Sequence, residues 1–148
     1  MLTNNWRNIL ARQFKKTQQS RKWDGTIATL ASASLDYNRR FYIGTGTTVQ
    51  NQTDYKLEKA ISEDKYISSM EIVCDTGDGS FLKESGLYAS GTVTNTSTEP
   101  LEVSEIGLAA DTSNAKTEDV RYLLAREVFD TPITISPGGV QAFSLKLF

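Results

Sequence analysis

Period-two alternation of apolar side chains, broken at intervals by turn residues, is the feature that most restricts the folds open to this chain. From Lys65 onward Met70, Ile72 and Cys74 share one phase, and Leu87, Ala89 and Val93 share another. Successive strand side chains point to opposite faces, so each set marks one face of a strand rather than the stripe of a helix. Asp75-Thr76-Gly77-Asp78-Gly79, Asn95 to Pro100 and Pro137-Gly138-Gly139 interrupt the runs with turn-forming residues. Beyond the last of these, Phe143, Leu145 and Leu147 alternate with Ala142, Ser144 and Lys146 as a half-buried strand. The terminal Phe148 is out of that phase and fits either a sheet edge or an adjoining subunit.

One strand carries an irregularity. Leu101 and Val103 share one phase, whereas Ile106, Leu108 and Ala110 share the other. Looping out Ser104 or Glu105 as a β-bulge keeps both sets on the core, with Gly107 easing the bend or leaving room for a partner backbone. Glu105 is then a structural residue, because no second carboxylate is spaced to work with it as an acid–base pair. Tyr122 to Phe129 is apolar on both phases, as in a strand packed on two sides or facing an interface, and Thr131-Pro132 ends it. Asp111 to Asp119 reads as an exposed loop. Arg39 to Ile43 forms a further short strand, stopped by Gly44 and Gly46, which hold turn geometry with positive φ available to them. The pattern predicts a mainly β fold, an antiparallel β-sandwich over residues 39–148, of about 100 residues. Residues 1–38 precede it as a basic helical arm and connector.

Within that arm Trp6, Ile9, Leu10 and Phe14 fall on one stripe of an amphipathic helix, with Thr3, Asn4 or Asn5 available as N-cap. Arg7, Arg12, Lys15, Lys16, Arg21 and Lys22 all precede the first acidic residue, Asp24. Their +6 leaves −8 for the rest of a chain whose net charge is −2. A narrow apolar stripe usually finds protein, so Trp6, Arg7, Ile9, Leu10, Phe14 and Lys15 are expected to dock on this domain or on a neighbouring subunit. Nucleic acid is a poor partner, because phosphates would be repelled by the acidic body. A membrane-surface helix and an import presequence compete less well. The arm is expected to be separable, its removal leaving the strands folded.

Composition removes much of catalytic chemistry. The chain has no histidine, which is the commonest general base and metal ligand, and no spacing assembles a nucleophile, base and orienting group. The single cysteine, Cys74, sits on an apolar strand phase and is expected to be a buried, inert thiol. Gly44-Thr45-Gly46-Thr47-Thr48 resembles a phosphate loop, but the lysine after its second glycine is missing. Asp75 and Asp78 lack the further oxygen ligands of a calcium site. No cofactor or metal is expected. No apolar run approaches the ~20 residues of a membrane span, nor is there a secretory leader, so synthesis and assembly are expected in the cytoplasm.

Phe41-Tyr42-Ile43-Gly44-Thr45-Gly46, then Asp54-Tyr55-Lys56-Leu57-Glu58, then Ile106-Gly107-Leu108 after Glu105, and finally Leu123-Leu124-Ala125-Arg126 occur in that order. This series, with a closing strand after a Pro-Gly turn, resembles virion proteins of tailed bacteriophages. The resemblance implies a non-enzymatic structural component of a head surface, head fibre, collar or tail, located in the virion and assembled in the host cytoplasm. Its partners would be other copies of itself and neighbouring phage virion proteins. The alternative is a receptor- or carbohydrate-binding module of a phage fibre, with Thr112 to Asp119 as a contact loop. Tyr42, Tyr55, Tyr66, Tyr88 and Tyr122 would be its candidate platforms for a host glycan.

Overall fold

The computed structural model describes residues 1–13, 19–29, 39–75, 86–113 and 117–147. Helix α1 (Asn4–Gln13) is followed by a small hairpin of β1 (Gln19–Arg21) and β2 (Ile27–Thr29). Strand β3 (Arg40–Gly44) comes next, followed by β4 (Tyr66–Asp75), β5 (Gly86–Asn95), β6 (Leu101–Asp111), β7 (Arg121–Ile135) and β8 (Val140–Lys146). The larger strands form two antiparallel three-stranded sheets, ordered β3-β6-β7 and β4-β5-β8. The chain is therefore mainly β with a helix near its N-terminus, as the alternation predicts. Asp24-Gly25 turns the first hairpin, with Gly25 at φ 88°. Gly138, at φ 73°, turns the chain from β7 in one sheet to β8 in the other. Both need a conformation that glycine adopts without a Cβ clash.

The main core draws on both sheets. Phe41, Ile43, Val103, Ile106, Leu108 and Leu124 from one join Tyr66, Ala89, Val93, Phe143 and Leu145 from the other, all less than a tenth exposed. Met70, Ile72 and Leu87 pack against this cluster from the phases read in the sequence. Cys74 lies in β4, but its side chain is outside the described residues, as are most of the turn 75–79 and Phe148.

The opposite face of the β3-β6-β7 sheet is buried as well. Trp23, Tyr42, Leu57, Ala109 and Leu123 form a second cluster there. Its cover is the chain's own N-terminal part together with the segment between β3 and β4. Thr3 donates its backbone N–H to the Leu124 carbonyl and its hydroxyl to that of Leu123, and the Trp23 N–H bonds the Arg121 carbonyl. Asn5 bonds Arg21 and Leu123. Thr3 thus uses its hydroxyl to attach the chain to the outer edge of β7, where Leu2 bridges Ala125, rather than to cap α1, and Trp23 and Leu57 cover the second phase of the buried stretch Tyr122 to Arg126.

The register breaks between Val103 and Glu105, where the phase slip lies, and Leu101, Val103, Ile106, Leu108 and Ala110 all reach the main core. The surplus residues are on the other strand, however. While β6 advances from Val103 to Glu105, β7 runs from Ile133 back to Val128, so Phe129 to Pro132 stand outside the ladder opposite Ser104. Pro132 lacks an N–H and suits an unpaired position. The strand consequently continues past Thr131-Pro132 to Ile135 instead of ending there. A second break between Leu108 and Ala109 leaves Leu124 as an extra residue, which puts both Leu124 and Ala125 on the main core.

Candidate functional site

The segment from Thr45 to Lys59 leaves and rejoins the sheet at one place. Thr45 donates its N–H to the Lys59 carbonyl at 2.9 Å, and Ile61 donates to Ile43. Closed ends and a compact body make this an Ω-type loop. Its anchor is Glu105, on the outward phase of β6 and completely buried. Oε1 accepts the N–H groups of Lys59 at 2.8 Å and Gly46 at 3.1 Å. Oε2 accepts the N–H of Glu58 at 3.1 Å and Arg126 Nε at 2.8 Å. Four donors on its two oxygens satisfy the buried carboxylate without orphaning a lone pair.

Arg126 reaches this anchor from β7, where Gly107 of β6 is paired with it. Its Nη1 donates to Asp54 Oδ2 at 2.9 Å and its Nη2 to the Thr48 carbonyl at 3.1 Å, with Glu58 Oε2 at 3.7 Å. Burial works against its charge, but hydrogen bonds to Asp54 and Glu105 and their negative charge outweigh that and raise its pKa. Glu58 accepts the N–H groups of Thr47 and Thr48, and the bond from Thr48 is the main cause of its depressed pKa. Both ends and the middle of the loop are therefore tied to one ionic cluster.

The two glycines matter for space, not for φ. Neither Gly44 nor Gly46 has positive φ, so the left-handed conformation open to them is not used. A Cβ on Gly44 would lie 2.4 Å from Glu105 Oε1 and 2.6 Å from the Lys59 carbonyl oxygen. On Gly46 it would lie 2.6 Å from both Glu105 Oε1 and Glu58 Cβ. At Gly107 the room is taken by the side chains of Leu123 and Leu57, at 2.8 and 2.9 Å, rather than by a partner's backbone.

A second buried ionic cluster joins the β6-β7 end to the turn before β4. Arg121 Nε donates to Asp111 Oδ1 at 3.1 Å and Nη1 to Glu63 at 3.3 Å, while Arg40 approaches both acids at 3.5 and 3.6 Å. The Arg121 guanidinium lies 4.2 Å from the Tyr42 ring centre and 5.5 Å from that of Trp23. Burial pushes the Tyr42 hydroxyl pKa up, and burial likewise pushes that of Tyr66 up to about 12.

Over the first cluster lies a cleft of about 360 Å³, lined by Arg21, Thr48, Asp54, Tyr55, Glu58 and Arg126. The Arg21 guanidinium sits 4.0 Å over the Tyr55 ring and occupies one of its faces. Tyr42, Tyr66 and Tyr122 are buried, so of the five candidate platforms only Tyr55 and Tyr88 have accessible surface. Among the described residues no group of three or more Asp, Glu, Cys or His side chains could hold a metal ion. No described helix is long and apolar enough to cross a membrane.

Of the expected docking residues, Trp6 packs half-buried against the main core and Arg7 is exposed. Ile9 and Leu10 lie in α1 with side chains outside the described residues, and Phe14 and Lys15 are outside them altogether. The contact loop after Asp111 is described except for residues 114–116, and Thr117 bonds Asp119 within it. Sequence reasoning missed Arg126, Asp54, Trp23 and Arg121 as parts of these clusters. A usable signal was present: Arg126 and Glu105 are charged residues set in otherwise apolar strands, where a charge is retained only if paired. No family model matches the chain, and neither a curated protein nor a solved structure does.

Proposed function

We propose that this chain is a non-enzymatic structural component of a tailed-bacteriophage virion, at a head surface, head fibre, collar or tail. The two three-stranded sheets act as a β-sandwich, and the protein works as repeated copies that bind one another and a neighbouring virion protein. The observation that carries the reading is the use made of the buried charge: Glu105, Arg126, Asp111 and Arg121 each bond other parts of the same chain. Such groups fasten loops to a rigid body. A hydrolytic acid would instead need a free, poised carboxyl within reach of a substrate. The motif series from Phe41 to Arg126 supplies the virion assignment, and the exposed Arg7 on α1 offers a basic handle to an acidic neighbour.

Locating the protein in purified particles tests this, by mass spectrometry of gradient-purified virions and by antibody labelling under the microscope. Stoichiometric recovery in many copies at one virion feature is the expected result. Absence from particles, with a free monomer that binds glycans in the cleft beside Tyr55, would overturn it in favour of the receptor-binding alternative.

A further inference from the structure

The outward face of the β4-β5-β8 sheet carries four cross-strand rows. The first places Ile67 and Val140 on either side of Thr94, and those two β-branched residues are 66% and 62% exposed. The second row sets Ser69 and Ala142 beside Thr92, and the third sets Glu71 and Ser144 beside Ser90. The fourth row sets Val73 and Lys146 on either side of Tyr88. Four hydroxyls of this face already bond in pairs, Ser69 with Thr92 and Ser90 with Ser144, both at 3.0 Å. Covering them forfeits little hydration, since they keep those partners when water leaves. Small side chains and satisfied hydroxyls also allow close approach of a second flat sheet.

We propose that this face takes a second copy of the chain about a two-fold axis running parallel to β5. Charge and shape on this face complement those of a second copy, and the surface rests on the self-association within the proposed function. Rotation about such an axis lays β4 of one copy over β8 of the other with rows in register. Ile67 then covers Val140, and Ser69 covers Ala142, each contact made twice as an isologous interface requires. Glu71 comes over Ser144, one row from Lys146 of the other copy, and Val73 covers the aliphatic stem of that lysine while Tyr88 meets its own counterpart, so two opposite-charge pairs form across the interface. An axis perpendicular to the strands would set Glu71 over Ser69 and Lys146 over Val140 and would pair no charges. Three strands about 4.8 Å apart give a small face, below the area of a standard permanent interface. One pair is therefore weak in isolation and is strengthened where many copies are held together.

Charge exchange tests the arrangement, read by sedimentation velocity of the full chain over a wide concentration series. Glu71→Lys and Lys146→Glu, both at exposed positions, should each weaken self-association about tenfold or more by turning two attractive pairs repulsive. Mixing the two single variants should restore pairing as a heterodimer, because each then presents the charge that the other lacks. Ile67→Lys should abolish pairing while leaving the melting temperature unchanged. A chain that self-associates with none of these substitutions mattering would overturn the two-fold face and leave the assembly reading standing through another surface. A chain that stays monomeric at every concentration would also overturn the face. The assembly reading itself would fail separately, by absence of the protein from particles.

Discussion

Replacing Glu105 is the perturbation with the most to say about how this protein is held together. Glu105→Ala removes a fully buried carboxylate and with it the acceptor of four hydrogen bonds, from Gly46, Glu58, Lys59 and Arg126. Breaking a buried ion pair from one side costs about 3–5 kcal/mol where the remaining charge is stranded, and the bond that Arg126 keeps to Asp54 holds this part at the lower end. Three backbone N–H groups lose their partner too, at about 1–3 kcal/mol each where water cannot replace it. Water entering the vacated space serves some of these donors, which places the expected loss at about 4–5 kcal/mol. That is a large fraction of the 5–15 kcal/mol that typically separates folded from unfolded chains. Glu105→Gln keeps the volume and one acceptor oxygen, but an amide donor in place of Oε2 faces both Glu58 N and Arg126 Nε, so about 2–3 kcal/mol is expected. Urea denaturation measures the totals. Amide hydrogen exchange locates them, with protection falling first at Gly46, Glu58 and Lys59. A loss under about 1 kcal/mol for the alanine variant, or unchanged protection at those three amides, would refute the view that one carboxylate anchors the loop.

The glycines separate space from backbone conformation: Gly46→Ala should destabilise by about 2 kcal/mol through overpacking, with Glu105 Oε1 and Glu58 Cβ both 2.6 Å away. Gly138→Ala meets nothing within 4 Å and should lose only the ~1 kcal/mol of a left-handed alanine; chemical denaturation compares the two. Trp23→Ala should cost about 3–4 kcal/mol, since Trp23 is 4% exposed and closes the second cluster, and it should blunt the cooperative thermal transition read by near-UV circular dichroism. Glu58 has a folded pKa below its ordinary value of 4.5. Its hold on the Thr47 and Thr48 amides is therefore complete above that ordinary value and is lost as pH falls through the lower folded value. The protection factors of those two amides, taken relative to intrinsic exchange at each pH, should fall in that window along an acid titration, and Glu58→Gln should remove the pH step.

The half of the fold that faces the main core was legible in the sequence. Alternation at Met70 and Ile72, at Ala89 and Val93, and at Phe143 and Leu145 marked strands whose inner faces bury apolar area, and the slip between Val103 and Ile106 marked a break in register. The second buried face was not legible. Along β6 it presents Glu105, Gly107, Ala109 and Asp111, a series that resembles a solvated strand face. These residues are buried because chain from elsewhere, Trp23, Leu57 and the loop from Thr45 to Lys59, lies over them, and such long-range cover leaves no local period. The misplaced bulge has the same origin. Period shows that two strands fall out of step but not which one holds the spare residues, and the proline that decided it sits in β7. The glycines were found by spacing but the reason for them was not, because the atom that crowds them, Glu105 Oε1, lies about sixty positions away.

The loop between Thr45 and Lys59 is fastened chiefly through its peptide N–H groups and carbonyls, by Glu105 and Arg126 from the strands beneath. Peptide groups are the same whatever side chain they carry. Shape and surface are consequently set by different residues: Gly44, Gly46, Asp54, Glu58, Glu105 and Arg126 define the path, while Thr47, Thr48 and Val49 point their exposed side chains at whatever is outside. A lineage can exchange those outer residues through many substitutions without re-forming the loop. Diversity of surface at constant backbone is what such an anchor permits, and it would concentrate among related chains in this stretch while the six residues of the frame stay fixed.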